Sequence, residues 1–133
     1  MNNIGEIYKI LYKYDEALIH LNRSLEIREK NGTQKEVAYT LNNIGSVFWL
    51  KKDYANSLEF YLKSLEIRSD LGDKSDISSS LNNLGNVYKN LNKPNKALDY
   101  YTKALEIREE IGDKTLIAFS LNDIAGIYWS LSN

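Results

Sequence analysis

The segment Leu41-Asn42-Asn43-Ile44-Gly45 returns forty residues later as Leu81-Asn82-Asn83-Leu84-Gly85, and again, with two changes, as Leu121-Asn122-Asp123-Ile124-Ala125. A second segment keeps the same step, as Ser24-Leu25-Glu26-Ile27-Arg28, Ser64-Leu65-Glu66-Ile67-Arg68 and Ala104-Leu105-Glu106-Ile107-Arg108. A period of this length is typical of stacked supersecondary units, each of which buries its apolar face against its neighbours. Such a chain is more often a binding surface than a catalyst.

Each unit contains two helical stripes of apolar residues. Around residue 84, residues spaced by three or four indicate one helix face; they are Ile77, Leu81, Leu84, Val87, Tyr88 and Leu91. A second stripe follows, with Ala97, Leu98, Tyr101 and Leu105. Between the stripes Pro94 suits the first turn of a helix, and Gly112 and Asp113 suit a helix end and the next N-cap.

A unit is therefore predicted to be an antiparallel helix pair, called A and then B. We predict A helices near 1–12, 34–51, 74–91 and 114–131, and B helices near 14–30, 54–71 and 94–111. The whole chain, 1–133, is predicted to be one domain with units 1–40, 41–80 and 81–120 and a partial unit 121–133.

The recurring residues resemble the tetratricopeptide repeat. The resemblance is carried by Leu84, Gly85, Tyr88, Ala97, Tyr101, Ala104 and Leu105. Tyr14 and Tyr54 match the aromatic residue that usually opens helix B, which Pro94 replaces in the third unit. The forty-residue length is similar to repeats of kinesin light chains, spindle-orientation adaptors and bacterial signalling proteins. The resemblance implies an all-α solenoid of about seven helices in a right-handed superhelix. Its A helices would line a concave groove that binds a peptide or protein segment.

The side of helix A opposite the core stripe is the candidate groove. Its predicted residues are Tyr39, Asn42, Ser46, Trp49, Asn82, Asn86, Lys89, Phe119, Asn122 and Trp129. In the first unit the corresponding residues are Asn2, Glu6 and Lys9. No residue is predicted to be catalytic or to bind a metal, and no cofactor is expected.

An asparagine ladder, formed by Asn2, Asn42, Asn82 and Asn122, runs along this face. Because an amide both donates and accepts hydrogen bonds, such a row suits the backbone of an extended peptide. The alternative is that these amides bond neighbouring helices or water. The adjacent Asn3, Asn43, Asn83 and Asp123 are expected nearer the seam between helices, in a structural role.

Two tryptophans lie on the same predicted face. Trp49 and Trp129 are candidates for ligand contact because tryptophan is enriched at interface hot spots; the alternative is packing against a neighbouring helix. Lys9 and Lys89 occupy the same repeat position; they are interpreted as solvated, and the alternative is contact with an acidic side chain or a C-terminal carboxylate. Arg28, Arg68 and Arg108 close the B helices, where a cation complements the helix dipole.

Composition limits the function classes. The formal net charge is −1 and there is no cysteine, so no basic field favours nucleic acid or an anionic membrane. The absence of cysteine fits a reducing compartment, and we expect a cytoplasmic location. His20 is the only histidine, and no hydrolase, zinc-protease or phosphate-loop motif occurs, so an enzyme is not expected.

Three functional hypotheses follow. The leading one is a non-catalytic adaptor or scaffold that binds a peptide or protein segment. The second is a self-associating structural segment, because the repeat stops part-way through a unit at both ends, which also fits an excerpt of a longer array. The third is a sensory or regulatory portion of a larger bacterial signalling protein.

Overall fold

The computed structural model describes the backbone of residues 2–132 and the side chains of that range other than 2–5, 8 and 9. In this range the helices are α1 Asn2–Asn31, α2 Gln34–Leu50, α3 Tyr54–Leu71, α4 Lys74–Asn90, α5 Pro94–Ile111 and α6 Lys114–Ser132. Each helix packs against the next one along the chain. The predicted all-α solenoid is confirmed, and α2 to α6 match the predicted ranges to within one residue at each end.

The first helix pair differs from the prediction. Residues 2–31 form one uninterrupted helix, so the described residues contain six helices where about seven were predicted. The later pairs turn at Lys52 and Asn92, whose φ angles are +65° and +59°, and Asp53 then caps α3. The equivalent residues of the first unit are Tyr12 and Lys13. A bulky ring is unfavourable at positive φ, so Tyr12 does not favour the turn that Lys52 and Asn92 make.

The predicted helix ends are confirmed elsewhere. Gly72 and Gly112 follow α3 and α5 in the left-handed conformation. Thr33 and Glu36 form a capping box at the start of α2, and the Asp113 carboxylate accepts from the backbone N–H groups of Thr115 and Leu116.

Within each complete pair, a tyrosine of helix B lies on a glycine of helix A. A methyl group on Gly45 would lie 2.7 Å from the Tyr61 ring, and one on Gly85 would lie 2.6 Å from the Tyr101 ring. Both rings are buried. Glycine therefore recurs at this position because any side chain would occupy the space of the ring.

Between pairs, each B helix is joined to the next A helix by an arginine. Arg28 Nη1 donates to Thr40 Oγ1 over 2.9 Å, Arg68 Nη1 to Ser80 Oγ over 2.9 Å, and Arg108 Nη1 to Ser120 Oγ over 2.8 Å. The three arginines lie in the last turns of their helices, as predicted. Their hydroxyl partners were not predicted, although the same forty-residue step places Thr40, Ser80 and Ser120 in the sequence.

Candidate functional site

The ten predicted groove residues lie on three successive A helices. We call their surface the A-helix face; it comprises Tyr39, Asn42, Ser46 and Trp49 on α2, Asn82, Asn86 and Lys89 on α4, and Phe119, Asn122 and Trp129 on α6. Five of them are exposed, namely Tyr39, Lys89, Phe119, Asn122 and Trp129, and the other five are partly buried. The side chains of Asn2 and Lys9 lie outside the described residues.

A pocket of about 240 Å³ brings three of these residues together. It lies among α2, α3 and α4, and its lining consists of Ser46, Trp49, Leu50, Tyr61, Asn83 and Asn86. The sequence predicts that Asn83 lies near the seam between helices, and it does not indicate Tyr61 as part of the site. The signal for Tyr61 was the small residue opposite it, Gly45, over which a long B-helix side chain reaches the A-helix face.

Two B-helix tyrosines orient polar groups of the face. Ser46 Oγ donates to the Asn42 carbonyl oxygen over 3.1 Å, so the Tyr61 hydroxyl donates to Ser46 Oγ over 2.9 Å. In the next unit the Tyr101 hydroxyl donates to Asn86 Oδ1. Burial raises the pKa of both tyrosine hydroxyls, which therefore stay protonated at neutral pH. Since Asn86 Oδ1 is engaged as an acceptor, its Nδ2 group remains to donate.

Within the asparagine ladder, Asn42 is hydrogen-bonded to the next A helix, whereas Asn82 Oδ1 is not. Asn83 Nδ2 donates to Asn42 Oδ1 over 3.1 Å, which connects α4 to α2. One repeat later Asp123 stands in place of Asn83, and Asn82 Oδ1 is buried without a hydrogen-bond partner among the described residues. An ionised carboxylate only accepts hydrogen bonds. Asp123 therefore cannot supply the donor that Asn83 supplies to Asn42.

Trp49 forms one wall of the pocket and is held by the core. It packs against the buried cluster of Tyr61, Leu84 and Val87, which is the packing that the alternative interpretation of this residue describes. Its indole Nε1 is nevertheless buried without a partner among the described residues. An unpaired buried donor costs about 1–3 kcal/mol, and because this nitrogen is closed to solvent, a ligand in the pocket would meet the indole ring and not its N–H group. Trp129 differs, since 72% of it is exposed.

Neither a metal-binding cluster nor a membrane-spanning helix occurs among the described residues. Among the described residues, no three or more His, Cys, Asp or Glu side chains are grouped to hold a metal ion. Within these residues no helix combines the length and the apolar character needed to cross a membrane. His20 is exposed on α1.

The tetratricopeptide repeat model matches residues 1–70, 36–110 and 76–133. The chain belongs to the tetratricopeptide repeat family. This confirms the resemblance that the recurring Leu, Gly, Tyr and Ala residues indicated.

Solved structures of repeat proteins share the fold. BtubC (BKLC) from P. vanneervenii is 20% identical, with a TM-score of 0.81 over 97% of this chain and 54% of that one. The apo form of RapI is 22% identical, with a TM-score of 0.83 over 98% of this chain and 48% of that one. A signal-transduction ATPase with numerous domains from Pyrococcus horikoshii, which has a tetratricopeptide repeat sensor, is 25% identical, with a TM-score of 0.81 over 96% of this chain and 20% of that one.

This repeat protein thus spans about half of the length of BtubC and RapI, and about a fifth of the length of the ATPase. No curated protein matches it.

Proposed function

We propose that the chain is a non-catalytic protein-interaction module that binds an extended peptide or protein segment in the groove lined by its A helices. Membership of the tetratricopeptide repeat family supports the general class, because such repeats generally serve as interaction modules and scaffolds. The observation that carries the assignment is the pocket among α2, α3 and α4, where Trp49 presents an aromatic wall beside polar groups from two units.

The chemistry of this pocket favours a ligand that combines apolar surface with hydrogen-bond acceptors. Trp49 and Leu50 offer apolar area. Asn86 Nδ2 offers a donor, because the Tyr101 hydroxyl already occupies Asn86 Oδ1. A peptide carbonyl or a side-chain amide meets both requirements, because its oxygen accepts while its neighbouring carbon atoms cover the indole.

The spacing of the asparagines favours an extended ligand over a compact one. Asn42, Asn82 and Asn122 lie one unit apart on α2, α4 and α6. Asn42 uses Oδ1 as an acceptor for Asn83, so its Nδ2 donors remain for a carbonyl oxygen. A chain that crosses successive A helices would meet one amide per unit, independently of its own side chains.

The test is peptide selection followed by calorimetry. Short random peptides displayed on phage are selected on the immobilised chain, and the Kd of an enriched peptide is compared between wild type and the double variant Asn82→Ala with Trp49→Phe. The phenylalanine retains much of the core packing and reduces the aromatic surface that the pocket presents. We expect at least a tenfold weaker Kd, or about 1.4 kcal/mol.

Glu106→Ala is the matched control, because Glu106 is exposed on α5 and lies outside the A-helix face. Far-ultraviolet circular dichroism checks that each variant is folded. The assignment fails if no peptide is enriched, or if the enriched peptide binds the double variant as tightly as wild type.

A second candidate function is self-association through α6. Its side chains Leu121, Tyr128 and Leu131 are 52%, 60% and 51% exposed, and burying such a side chain contributes roughly 1.5–3 kcal/mol. Light scattering over a concentration series would show the mass rising with concentration. A constant monomeric mass would exclude this function.

A further inference from the structure

A second groove lies on the B-helix side of the first two units. It has a volume of about 510 Å³ and is formed by α1, α3 and the first half of α2. We call it the B-helix groove; Leu25, Val37, Phe60 and Ile67 form its apolar floor, and Glu29 and Glu66 stand at its rim. None of these residues lines the pocket beside Trp49. Any ligand here would therefore occupy a separate site.

The groove continues beyond Ile67. An adjoining pocket of about 250 Å³ also contains Gln34 and Ile67 and extends to Asp70 and Leu71. Leu71 is 50% exposed. The floor and its extension therefore present a run of apolar surface with a third carboxylate, that of Asp70, at the far end.

The charge of the groove is negative. Three carboxylates have no ion-pair partner among the described residues, namely those of Glu29, Glu66 and Asp70. Lys63 is the basic residue of the lining; its Nζ atom is 3.1 Å from Glu59 Oε1 and lies over the Phe60 ring. Since Lys63 is already paired, three carboxylates remain without a compensating cation. Their field favours a positively charged ligand.

The helix pair α4–α5 has an ion pair that the pair α2–α3 lacks. Forty residues on, Lys74 replaces Gln34 and Glu110 replaces Asp70, and the Lys74 Nζ and Glu110 Oε2 atoms are 2.9 Å apart. This ion pair joins α4 to α5. At the equivalent position of the pair α2–α3, a pocket lies between Gln34 and Asp70. Glutamine cannot form such a pair. The groove is thus open and acidic beside α2 and α3 because Gln34 stands where α4 has Lys74. Packing does not require this difference, since Gln34 is exposed.

We propose that the B-helix groove is a binding site for a protein segment that carries apolar side chains together with lysine or arginine. The apolar side chains occupy the floor over Leu25, Phe60 and Ile67. The cationic groups pair with the carboxylates of Glu29, Glu66 and Asp70. The segment is a different ligand from the one assigned to the A-helix face, and the proposal does not depend on that assignment.

The experiment is an NMR titration of the ¹⁵N-labelled chain with three peptides of equal length and identical leucine positions. Their polar positions are all lysine, all glutamine or all glutamate. We expect the lysine peptide to produce saturable shifts at Leu25, Val37, Phe60 and Ile67, with a Kd at least tenfold lower than that of the glutamine peptide. The glutamate peptide should produce no saturable shifts at these residues.

Two variants of one exposed residue test the role of the open end. Gln34→Lys should recreate with Asp70 the ion pair seen in the next repeat and weaken the lysine peptide at least tenfold, whereas Gln34→Glu should strengthen it. Thr115→Lys adds the same positive charge at the start of α6, where the side chain is exposed, and should leave the Kd within about twofold.

Several results would overturn the proposal. These are the absence of saturable shifts with the lysine peptide, equal affinity for the lysine and glutamine peptides, or a Gln34→Lys variant that binds like wild type. Shifts confined to Ser46, Trp49 and Asn86 would place the peptide on the A-helix face and would equally overturn it. Trp49→Phe should leave the affinity of the lysine peptide unchanged, so failure at one site is distinguished from failure at the other.

Discussion

The helix pairs α2–α3 and α4–α5 share two contacts but differ in the residues at their surfaces. In each pair a tyrosine ring lies on a glycine, and the arginine that ends the B helix bonds a hydroxyl of the following A helix. The pairs differ at Ser46 and Asn86, at Trp49 and Lys89, and at Gln34 and Lys74, counting from the start of each A helix. These residues line the candidate sites or reach solvent. The comparison teaches that this chain keeps glycine where a tyrosine ring leaves no room for a side chain, while residues on the A-helix face and beside the B-helix groove vary between units.

The largest expected effect concerns the arginine bonds. Arg108 is only 5% exposed and donates to Ser120 Oγ, so Ser120→Ala leaves a buried charged donor without that acceptor. We expect the free energy of unfolding to fall by about 1.5–3 kcal/mol. Urea denaturation measures it as a lower midpoint at an unchanged slope.

Thr40→Val is the matched comparison in the first unit. The Arg28 side chain is 33% exposed and also lies 3.8 Å from Glu36 Oε2, so water and a carboxylate compensate for the lost hydroxyl. The loss should stay below about 1 kcal/mol. If both variants lose the same stability, burial does not set the strength of this contact.

The glycine positions give a smaller effect that should change sign along the chain. Gly85→Ala places a methyl group 2.6 Å from the Tyr101 ring. Overpacking costs about 1–3 kcal/mol and the better helix propensity of alanine recovers about 0.5–1 kcal/mol, so we expect a net loss of about 1–2 kcal/mol. At Gly126 a methyl group would meet nothing, so Gly126→Ala should stabilise the chain by about 0.5–1 kcal/mol.

Thermal unfolding by circular dichroism compares the two glycine variants. A stabilising Gly85→Ala variant would mean that the Tyr101 ring moves aside without cost. The ring contact would then not explain why glycine recurs at this position.

The smallest effect concerns the side chains of Asn82 on α4 and Asp123 on α6. Asp123→Asn supplies the amide donor that Asn82 Oδ1 lacks, and a hydrogen bond of this kind contributes about 0.5–1.5 kcal/mol. The reverse change, Asn83→Asp, removes the bond to Asn42 and should cost a similar amount. Urea denaturation of both variants tests the symmetry, and a destabilising Asp123→Asn would contradict the equivalence of the two steps.

The sequence predicted the helices well where residues that start or end a helix are present. Gly72, Gly112, Asp113, Thr33 and Pro94 each have a local conformational preference, and the helices they bound follow the prediction closely. It failed between residues 12 and 14, where the forty-residue period and Tyr14 suggested a break. Tyr12 does not favour the positive φ that Lys52 and Asn92 adopt at the equivalent turns, and α1 continues through this position.

The candidate site was predicted less completely than the fold. Periodicity placed Ser46, Trp49 and Asn86 on one face, but it could not show that Tyr61 and Asn83 complete the pocket. Tyr61 reaches it from another helix, and Asn83 reaches it from the seam. The packing of Trp49 on Tyr61, Leu84 and Val87 likewise depends on how far apart the helices lie.

The sequence by itself determined the helical repeat and the ends of α2 to α6, because each depends on the preferences of nearby residues or on a strict period. Only the tertiary structure decided which side chains meet between units. It paired Arg108 with Ser120 and Asn83 with Asn42, and it left Asn82 Oδ1 without a donor. These contacts depend on the distance and rotation between stacked helices. Those quantities are set by the packing of whole faces and cannot be read from a single segment.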